Sequence, residues 1–446
     1  MASRRWYRHV LKLQLLPNCV HSFIFFAFSF CVIAWSMVLG GTCYGQESVP
    51  SDRETIQKLM QEVKEVKQLQ QRVQSLEDAR GPAIPSGPAQ AAKPQDQDSE
   101  PALSTPAQFT EARGIQWKGF GELDYKALDQ KIPELEAYGF VPGSAANFYT
   151  GQFDLLVTSR INDKTSVLSE LVFEERDAQT YDVNLERLLL KYDFNDHLRM
   201  SFGRYHTGIG YYNTAFHSGS WLQTTADRPL IMEFAEDGGI LPTQAVGFFV
   251  TGEIPSGRLG LNYTAEYGSS DTIRPQITDS GDNVDENNGN HVNFGLFSRP
   301  RTIAGLEIGG SFYHDQVSDF SKGPSVRMGQ TIINFHAIYA ARGVEMLNEG
   351  FPIRHVYETG NLVFNMPAFY TQFSKQIGRY RPFVRYQYIN ANPNSIFNDV
   401  LLRRGPSFGL RYDFNDYVAL KAQLDHTLRK DQPDLNGIHT QLAFTF

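Results

Sequence analysis

From Ile115 onward, apolar and polar residues alternate with a period of two. The clearest case is a pattern that occurs twice, "KYDFNDHLRMSFGRYH" from Lys191 and "RYDFNDYVALKAQLDH" from Arg411. After the first turn Leu198, Met200 and Phe202 alternate with Arg199, Ser201 and Gly203. After the second, Val418, Leu420, Ala422 and Leu424 alternate with Ala419, Lys421, Gln423 and Asp425. Successive side chains of a strand point to opposite faces, so each segment has one apolar and one polar face. The same parity holds before the turns, where Leu188, Leu190 and Tyr192 oppose Arg187, Lys191 and Asp193. "FND" is a tight connection, because Asn and Asp tolerate left-handed geometry and bond their own backbone. Each copy therefore predicts a β-hairpin.

The same reading gives sixteen strands: 117–125, 148–160, 165–175, 184–193, 197–205, 245–252, 258–267, 291–298, 304–314, 329–340, 344–356, 361–374, 380–390, 405–413, 417–426 and 439–446. The least regular are 245–252 and 344–356. Short connections ("INDK", "FND", "IPSG", "RPRT", "ARG", "QIGR") alternate with long ones near 126–147, 206–244, 268–290, 315–328 and 427–438. A soluble sandwich has no reason to keep its short turns at one end. A transmembrane barrel does, and an even count returns both ends to the same side. In lipid only a closed barrel pairs every backbone group of a strand. The expected fold is all-β, a 16-stranded antiparallel transmembrane barrel over 115–446.

The polar face carries Glu122, Asp124, Asp154, Arg160, Glu170, Arg187, Lys191, Arg199, Glu266, Glu307, Arg385, Arg411, Lys421 and Asp425. A charge at mid-membrane on the lipid face costs about 2–4 kcal/mol. These side chains are therefore assigned to a wet interior. Arg187, Lys191, Arg199, Arg411, Lys421 and Asp425 flank the repeated hairpins and, with Glu122, Asp124 and Arg385, are the expected pore-lining set. Tyrosines near strand ends, such as Tyr125, Tyr192, Tyr267 and Tyr417, suit interfacial girdles.

The first hundred residues read differently. Arg4, Arg5, Arg8 and Lys12 precede an apolar run from Phe23 to Gly41 and then small residues, the layout of a secretory signal over 1–45. A retained membrane anchor is the alternative, since the run is nearly long enough to span. Cys19, Cys31 and Cys43, the only cysteines, all lie there, so the remaining chain has no thiol chemistry. Removing 1–45 takes four of 41 basic residues and none of the 49 acidic ones, leaving a balance of −12. That excludes nucleic acid as an expected partner. Within 46–79, Ile56, Leu59, Val63, Val66 and Val73 follow 3–4 spacing, and Ser51 with Glu54 forms a capping box. The segment reads as a periplasmic coiled-coil helix, with homotrimerisation through 51–79 set against a solvated spacer. Residues 80–114 have the Pro/Ala-rich composition of a flexible linker.

Taken together, the signal, the coiled coil, the sixteen-strand alternation and a terminal Phe446 resemble Gram-negative outer-membrane porins. More narrowly, "WKGFGELDY" at the first strand, "FGRYHTGIGYYN" followed by "SGSWLQTTADRPL", and the last strand resemble the phosphate-selective porin O/P-like superfamily. The resemblance implies an outer-membrane location, contact with lipids and lipopolysaccharide, and a terminal strand ending at Phe446 that the barrel-assembly machinery reads. The phosphate-binding arginines of that family do not map onto named positions here.

A sixteen-stranded barrel encloses an aqueous channel. The expected function is passive diffusion of small hydrophilic or ionic solutes, with no cofactor, no metal and no enzymatic activity. The longest loop, 206–244, contains Trp221, Leu230, Ile231, Met232 and Phe234, too apolar for a segment in water. Folded into the barrel, it would bring Asp227, Arg228, Glu233, Glu236 and Asp237 to a constriction. Capping the barrel or packing at a subunit contact is the alternative. His197, His206 and His217 read as loop or turn residues, and no HExxH pattern occurs. No GxSxG occurs in the mature chain, so a hydrolase is the weaker rival. A barrel that anchors an envelope tether without transport is another.

Overall fold

A computed structural model describes residues 114–130, 146–177, 180–233, 239–270, 272–273, 289–320, 325–360, 362–397 and 400–446. The signal over 1–45, the coiled-coil helix and nearly all of the linker lie outside these residues. Sixteen long strands follow one another. They are β1 (Ile115–Leu128), β2 (Ala146–Arg160), β3 (Thr165–Asp177), β4 (Thr180–Asn195), β5 (Leu198–His206) and β6 (Gln244–Ile254). Next come β7 (Leu261–Ser269), β8 (Asn290–Ser298), β9 (Leu306–Asp319), β10 (Val326–Ala341) and β11 (Val344–Tyr357). The last are β12 (Val363–Lys375), β13 (Tyr380–Asn390), β14 (Leu402–Asp413), β15 (Val418–Arg429) and β16 (Leu435–Thr445). Each pairs antiparallel with its neighbours in sequence, and β16 pairs with β1 through Phe120↔Thr445 to Leu128↔Gly437. The sheet is a closed barrel with no free edge. A two-residue strand, Thr272–Ile273, adds a parallel pairing to Ser318 and Asp319 of β9.

The burial pattern is inverted relative to a soluble protein. Exposed large side chains include Leu188, Leu190, Phe202, Phe248, Phe294, Phe335, Phe408, Leu420 and Leu424, all on outward positions. Buried ones include Asp124, Glu170, Glu266, Glu307, Glu349, Arg385 and Lys421, all on inward positions. An apolar exterior around a polar interior is the pattern of a barrel that sits in hydrocarbon.

The repeated hairpins form as expected, through the side-chain bonds to the backbone and not through left-handed geometry. Neither Asn195 nor Asn415 takes a left-handed conformation. Instead Asn195 Oδ1 accepts the His197 amide at 2.8 Å, and Asn415 Oδ1 accepts the Tyr417 and Val418 amides at 2.8 and 2.9 Å. Asn162 does the same in "INDK", accepting the Lys164 and Thr165 amides at 2.9 Å. One side chain thus satisfies amides that a two-strand turn leaves without a partner. Beside the repeated turns, Tyr192 meets Phe194 edge-on at 4.6 Å and Tyr412 meets Phe414 at 4.9 Å. The chain end is seated on the outside of β1. Phe446 and Gly119 exchange backbone hydrogen bonds of 3.0 and 3.1 Å, and the Phe446 ring covers Gly119, where a Cβ would lie 2.1 Å from it.

Two strands depart from the sequence pattern. β11 is fully formed although 344–356 alternates poorly, because both of its faces carry apolar residues. Leu347, Phe351 and Ile353 point inward, while Met346 and Val356 point outward. In β4 the ladder steps from Glu170↔Arg187 to Leu171↔Leu185, a β-bulge that leaves Glu186 as the extra residue. Such an insertion shifts parity, so Glu186 and Arg187, adjacent in sequence, both serve the interior.

Candidate functional site

Residues 207–233 leave β5 and enter the barrel, and residues 239–243 lead into β6. Thr207 and Thr243 are joined by an amide–carbonyl bond of 2.9 Å, and Asn213 Nδ2 donates to both of their carbonyls at 2.8 and 3.0 Å. The loop is therefore tied at its own neck. Its first element, α1 (Tyr211–Phe216), has no side-chain cap of its own. The free amides that open a helix need acceptors. Glu349 on β11 supplies them, taking the Tyr211 and Tyr212 amides at 2.7 and 2.9 Å and the Tyr370 hydroxyl at 2.7 Å.

One side of the loop packs against one wall of the barrel. Ile209, Tyr212, Leu230, Ile231, Met232, Ile240 and Leu241 form an apolar cluster with Met328, Ile332, Leu347, Phe351, Ile353, Met366 and Ile389 of β10–β13. Burying an aliphatic side chain of this size is worth about 1.5–3 kcal/mol. This is why the apolar loop residues do not wave in water. It is also why β10–β13 carry apolar residues on the inner face, where sequence parity alone expects polar ones.

The opposite side of the loop is held by polar side chains of the wall. Lys421 Nζ donates to the Ser220 and Thr225 carbonyls at 2.6 and 3.0 Å and to Gln441 Oε1 at 2.7 Å. Arg411 Nη1 donates to the Trp221 and Gln223 carbonyls at 2.7 and 2.8 Å, its guanidinium 4.7 Å from the Trp221 ring centre. Arg385, fully buried, donates to the Asp227 carbonyl at 2.8 Å and to Thr225 Oγ1 at 3.2 Å. Gln423 Oε1 accepts the Ala226 amide at 3.1 Å, and Gln387 Oε1 accepts the Leu230 amide at 3.1 Å. The Asp227 carboxylate pairs with Lys126 and His439, each at 2.9 Å, and His439 also pairs with Asp124 at 2.8 Å. Burial alone would raise the Asp227 pKa, but Lys126 and the His439 imidazole beside it hold it well below the carboxylate range.

The expected lining residues thus fall into two groups. Arg385, Arg411 and Lys421 lie beneath the loop and bind its carbonyls. Glu122 accepts the Gln152 amide and Gln441 Nε2, both at 2.9 Å, and Asp425 is engaged by Ser407 and Gln423. Arg187, Lys191 and Arg199 belong to the second group. They line a cavity of about 610 Å³ between the loop and the short turns, on the β3–β10 side. Arg160, Lys164 and Arg299 line it too, together with Asp193, Glu253 and Glu307. Arg187 pairs with Glu170 and donates to Ser218 Oγ of the loop at 2.8 Å.

Among the expected loop residues, Arg228 donates to the His217 carbonyl at 2.7 Å. Glu233 is half-buried, and burial pushes its carboxyl up to about 7, partly offset by Arg403 and Lys126. Glu236, Asp237 and Phe234 lie outside the described residues.

One constellation escaped the sequence reading. Glu186, His206 and His217 come together where the loop meets the wall, their ligand atoms within 4.8 Å of one another. The two imidazoles stack at 3.6 Å between centroids. The sequence marks both histidines only as loop or turn residues, whereas His206 ends β5 and His217 follows α1 inside the barrel. Nothing in their sequence spacing signals the cluster, since Glu186 reaches it through the β4 bulge and His217 through the inward loop.

No family model and no curated protein matches this sequence. Solved structures do. The anion-selective porin from Comamonas acidovorans superposes with a TM-score of 0.54 at 10% identity, covering 75% of this chain and 99% of that one. The trimer form of OmpT, an outer membrane protein of Vibrio cholerae, gives 0.49 at 12% identity over 75% and 99% of the two chains. The outer membrane channel DcaP of Acinetobacter baumannii gives 0.47 at 8% identity over 74% and 97%. At these identities the likeness is one of fold: the chain is a closed sixteen-stranded antiparallel barrel with the fold of the Comamonas porin.

Proposed function

We propose that this barrel is an outer-membrane diffusion porin for small hydrophilic or ionic solutes, with residues 207–243 as its constriction loop. The observation that carries the reading is the combination of an apolar exterior with a charged interior crossed by a loop bound to its walls. A packed core needs no such charged bolts, whereas a selective channel needs a narrow zone of defined width and charge. In this reading solutes pass on the side of Arg187, Lys191 and Arg199, where the 610 Å³ cavity lies. Arg385, Arg411, Lys421, Asp425, Glu122 and Asp124 set the width indirectly by holding the loop. Asp227 helps to hold the loop through Lys126 and His439, and Arg228 and Glu233 add charge on the loop itself. The outer surface faces lipid and lipopolysaccharide, Phe446 completes the terminal strand for the assembly machinery, and residues 51–79 join three copies. The barrel carries out no covalent chemistry.

A second reading is favoured by one observation. Arg385 and Lys421 have no exposure at all beneath the loop. A barrel plugged on that side and closed on the other would serve as an anchor rather than a channel. Purified protein in a planar bilayer separates the two. The porin reading expects steady conductance and a reversal potential in a salt gradient. No conductance from a demonstrably folded barrel leaves the anchor.

A further inference from the structure

We infer that Glu186, His206 and His217, with Glu170 alongside, form a binding site for a divalent first-row transition ion of the zinc class, and that the bound ion clips the inward loop to the barrel wall. The donor set is two imidazoles and a carboxylate, the commonest ligands for such ions. His217 Nε2 lies 3.4 Å from Glu186 Oε2, His206 Nε2 lies 3.8 Å from the same oxygen and 3.6 Å from Glu170 Oε2. Metal–ligand bonds of 2.0–2.1 Å in a tetrahedral site place neighbouring donor atoms about 3.3 Å apart. The observed separations are close to this, and binding would turn the two stacked imidazoles so that both ring nitrogens face one centre.

An orphaned atom points the same way. His206 Nε2 is buried with no hydrogen-bond partner. Buried polar atoms are nearly always satisfied, so an orphaned ring nitrogen aimed into this cluster asks for an occupant. The outer contacts suit a metal as well. His217 Nδ1 lies 2.8 Å from Asn213 Oδ1, which makes Nδ1 the protonated nitrogen and leaves Nε2 as the donor toward Glu186. Gln244 donates to Glu186 and orients its carboxylate.

Arg187, Arg204 and Arg228 also face this cluster, and their charge opposes any cation. Binding strength must then come from the nitrogen donors. Ca²⁺ and Mg²⁺, which take oxygen ligands, gain little here. Because Glu186 lies on β4, His206 ends β5 and His217 lies beyond α1, one ion would bridge two wall strands and the loop.

The inference does not depend on transport. The test uses the full chain, folded in detergent and stripped with chelator. Zinc binding is measured by competition with a chromogenic chelator, and cobalt(II) substitution reports coordination through its visible absorption. The expected result is one Zn²⁺ per chain, a tetrahedral cobalt spectrum, no competition by Ca²⁺ in excess, and at least tenfold weaker binding in Glu186→Gln and His217→Gln. His217→Gln changes only the loop, and folding of each variant is checked by heat-modifiable gel mobility. Zinc should also slow proteolysis of the loop in the wild type and not in His217→Gln. A folded wild type that takes up neither zinc nor cobalt overturns the inference, as does uptake that the two variants leave unchanged.

Discussion

Replacing Lys421 by Met tests whether the wall holds the loop. The substitution keeps the length of the side chain and removes three donated hydrogen bonds, of 2.6 Å to the Ser220 carbonyl, 3.0 Å to the Thr225 carbonyl and 2.7 Å to Gln441 Oε1. Gln441 keeps its bond to Glu122 and can reorient. The Ser220 carbonyl still accepts the Gln223 amide at 2.9 Å, but the Thr225 carbonyl, on a residue with no exposure, loses its donor. A buried acceptor left without a donor costs about 1–3 kcal/mol. With one such carbonyl left in a fully buried place, we take the upper end, about 3 kcal/mol, against loop docking. At 1.4 kcal/mol per decade, the detached population rises roughly a hundredfold. The barrel ladder is untouched, so the loss is local. Hydrogen exchange followed by mass spectrometry reads it directly, since protection tracks the free energy of local opening. Amides of residues 215–230 should exchange about a hundredfold faster, with β14–β16 unchanged. Leu420→Ala, on the outward face of the same strand, is the control and should leave the loop alone. Equal loop protection in Lys421→Met and wild type would refute the argument that Lys421 bolts the loop.

Four other outcomes follow from the same geometry. Deleting residues 222–238 should raise single-channel conductance, and an unchanged value in a folded barrel would remove the loop from the permeation path. Asp227→Asn breaks the contacts to Lys126 and His439, and losing one partner of a mostly buried pair costs up to about 3–5 kcal/mol, read as faster loop proteolysis. The low Asp227 pKa means its contribution is present above the ordinary carboxylate value and lost only as pH falls through the folded value. Wild-type loop protection should therefore hold above the ordinary carboxylate value of 3.8 and decline progressively below it, while Asp227→Asn lacks this acid limb. Glu233, with its carboxyl pushed up to about 7, should charge between pH 6 and 8, shifting the reversal potential toward cations. Its stabilising effect is present below its ordinary value and lost as pH rises through about 7, and Glu233→Gln should flatten both responses. Gly119→Val should displace the Phe446 ring and destabilise barrel closure by about 1–3 kcal/mol, seen as a lower unfolding temperature.

Much of this architecture is legible in the order of residues, because it depends on a rule that acts residue by residue. A strand between lipid and water must alternate, so Leu420, Ala422 and Leu424 declare one face and Lys421, Gln423 and Asp425 the other. The even strand count, the short turns at one end and the inward set of charges all follow from that parity. The apolar run Leu230, Ile231 and Met232 even announces that its loop must be buried somewhere. What parity does not carry is anything that crosses the barrel. Phe351 and Ile353 face inward because the loop happens to pack there, and their strand looked irregular for that reason. Arg385 and Lys421 are on the expected face, yet whether they meet solute or loop carbonyls depends on where residues 220–227 come to rest. Glu186 departs furthest, since a one-residue bulge reverses its face and sets it beside two histidines from other segments. A period-two pattern is a property of local backbone geometry. The cluster exists only after closure of the sheet and folding of the loop have brought together groups that share no period.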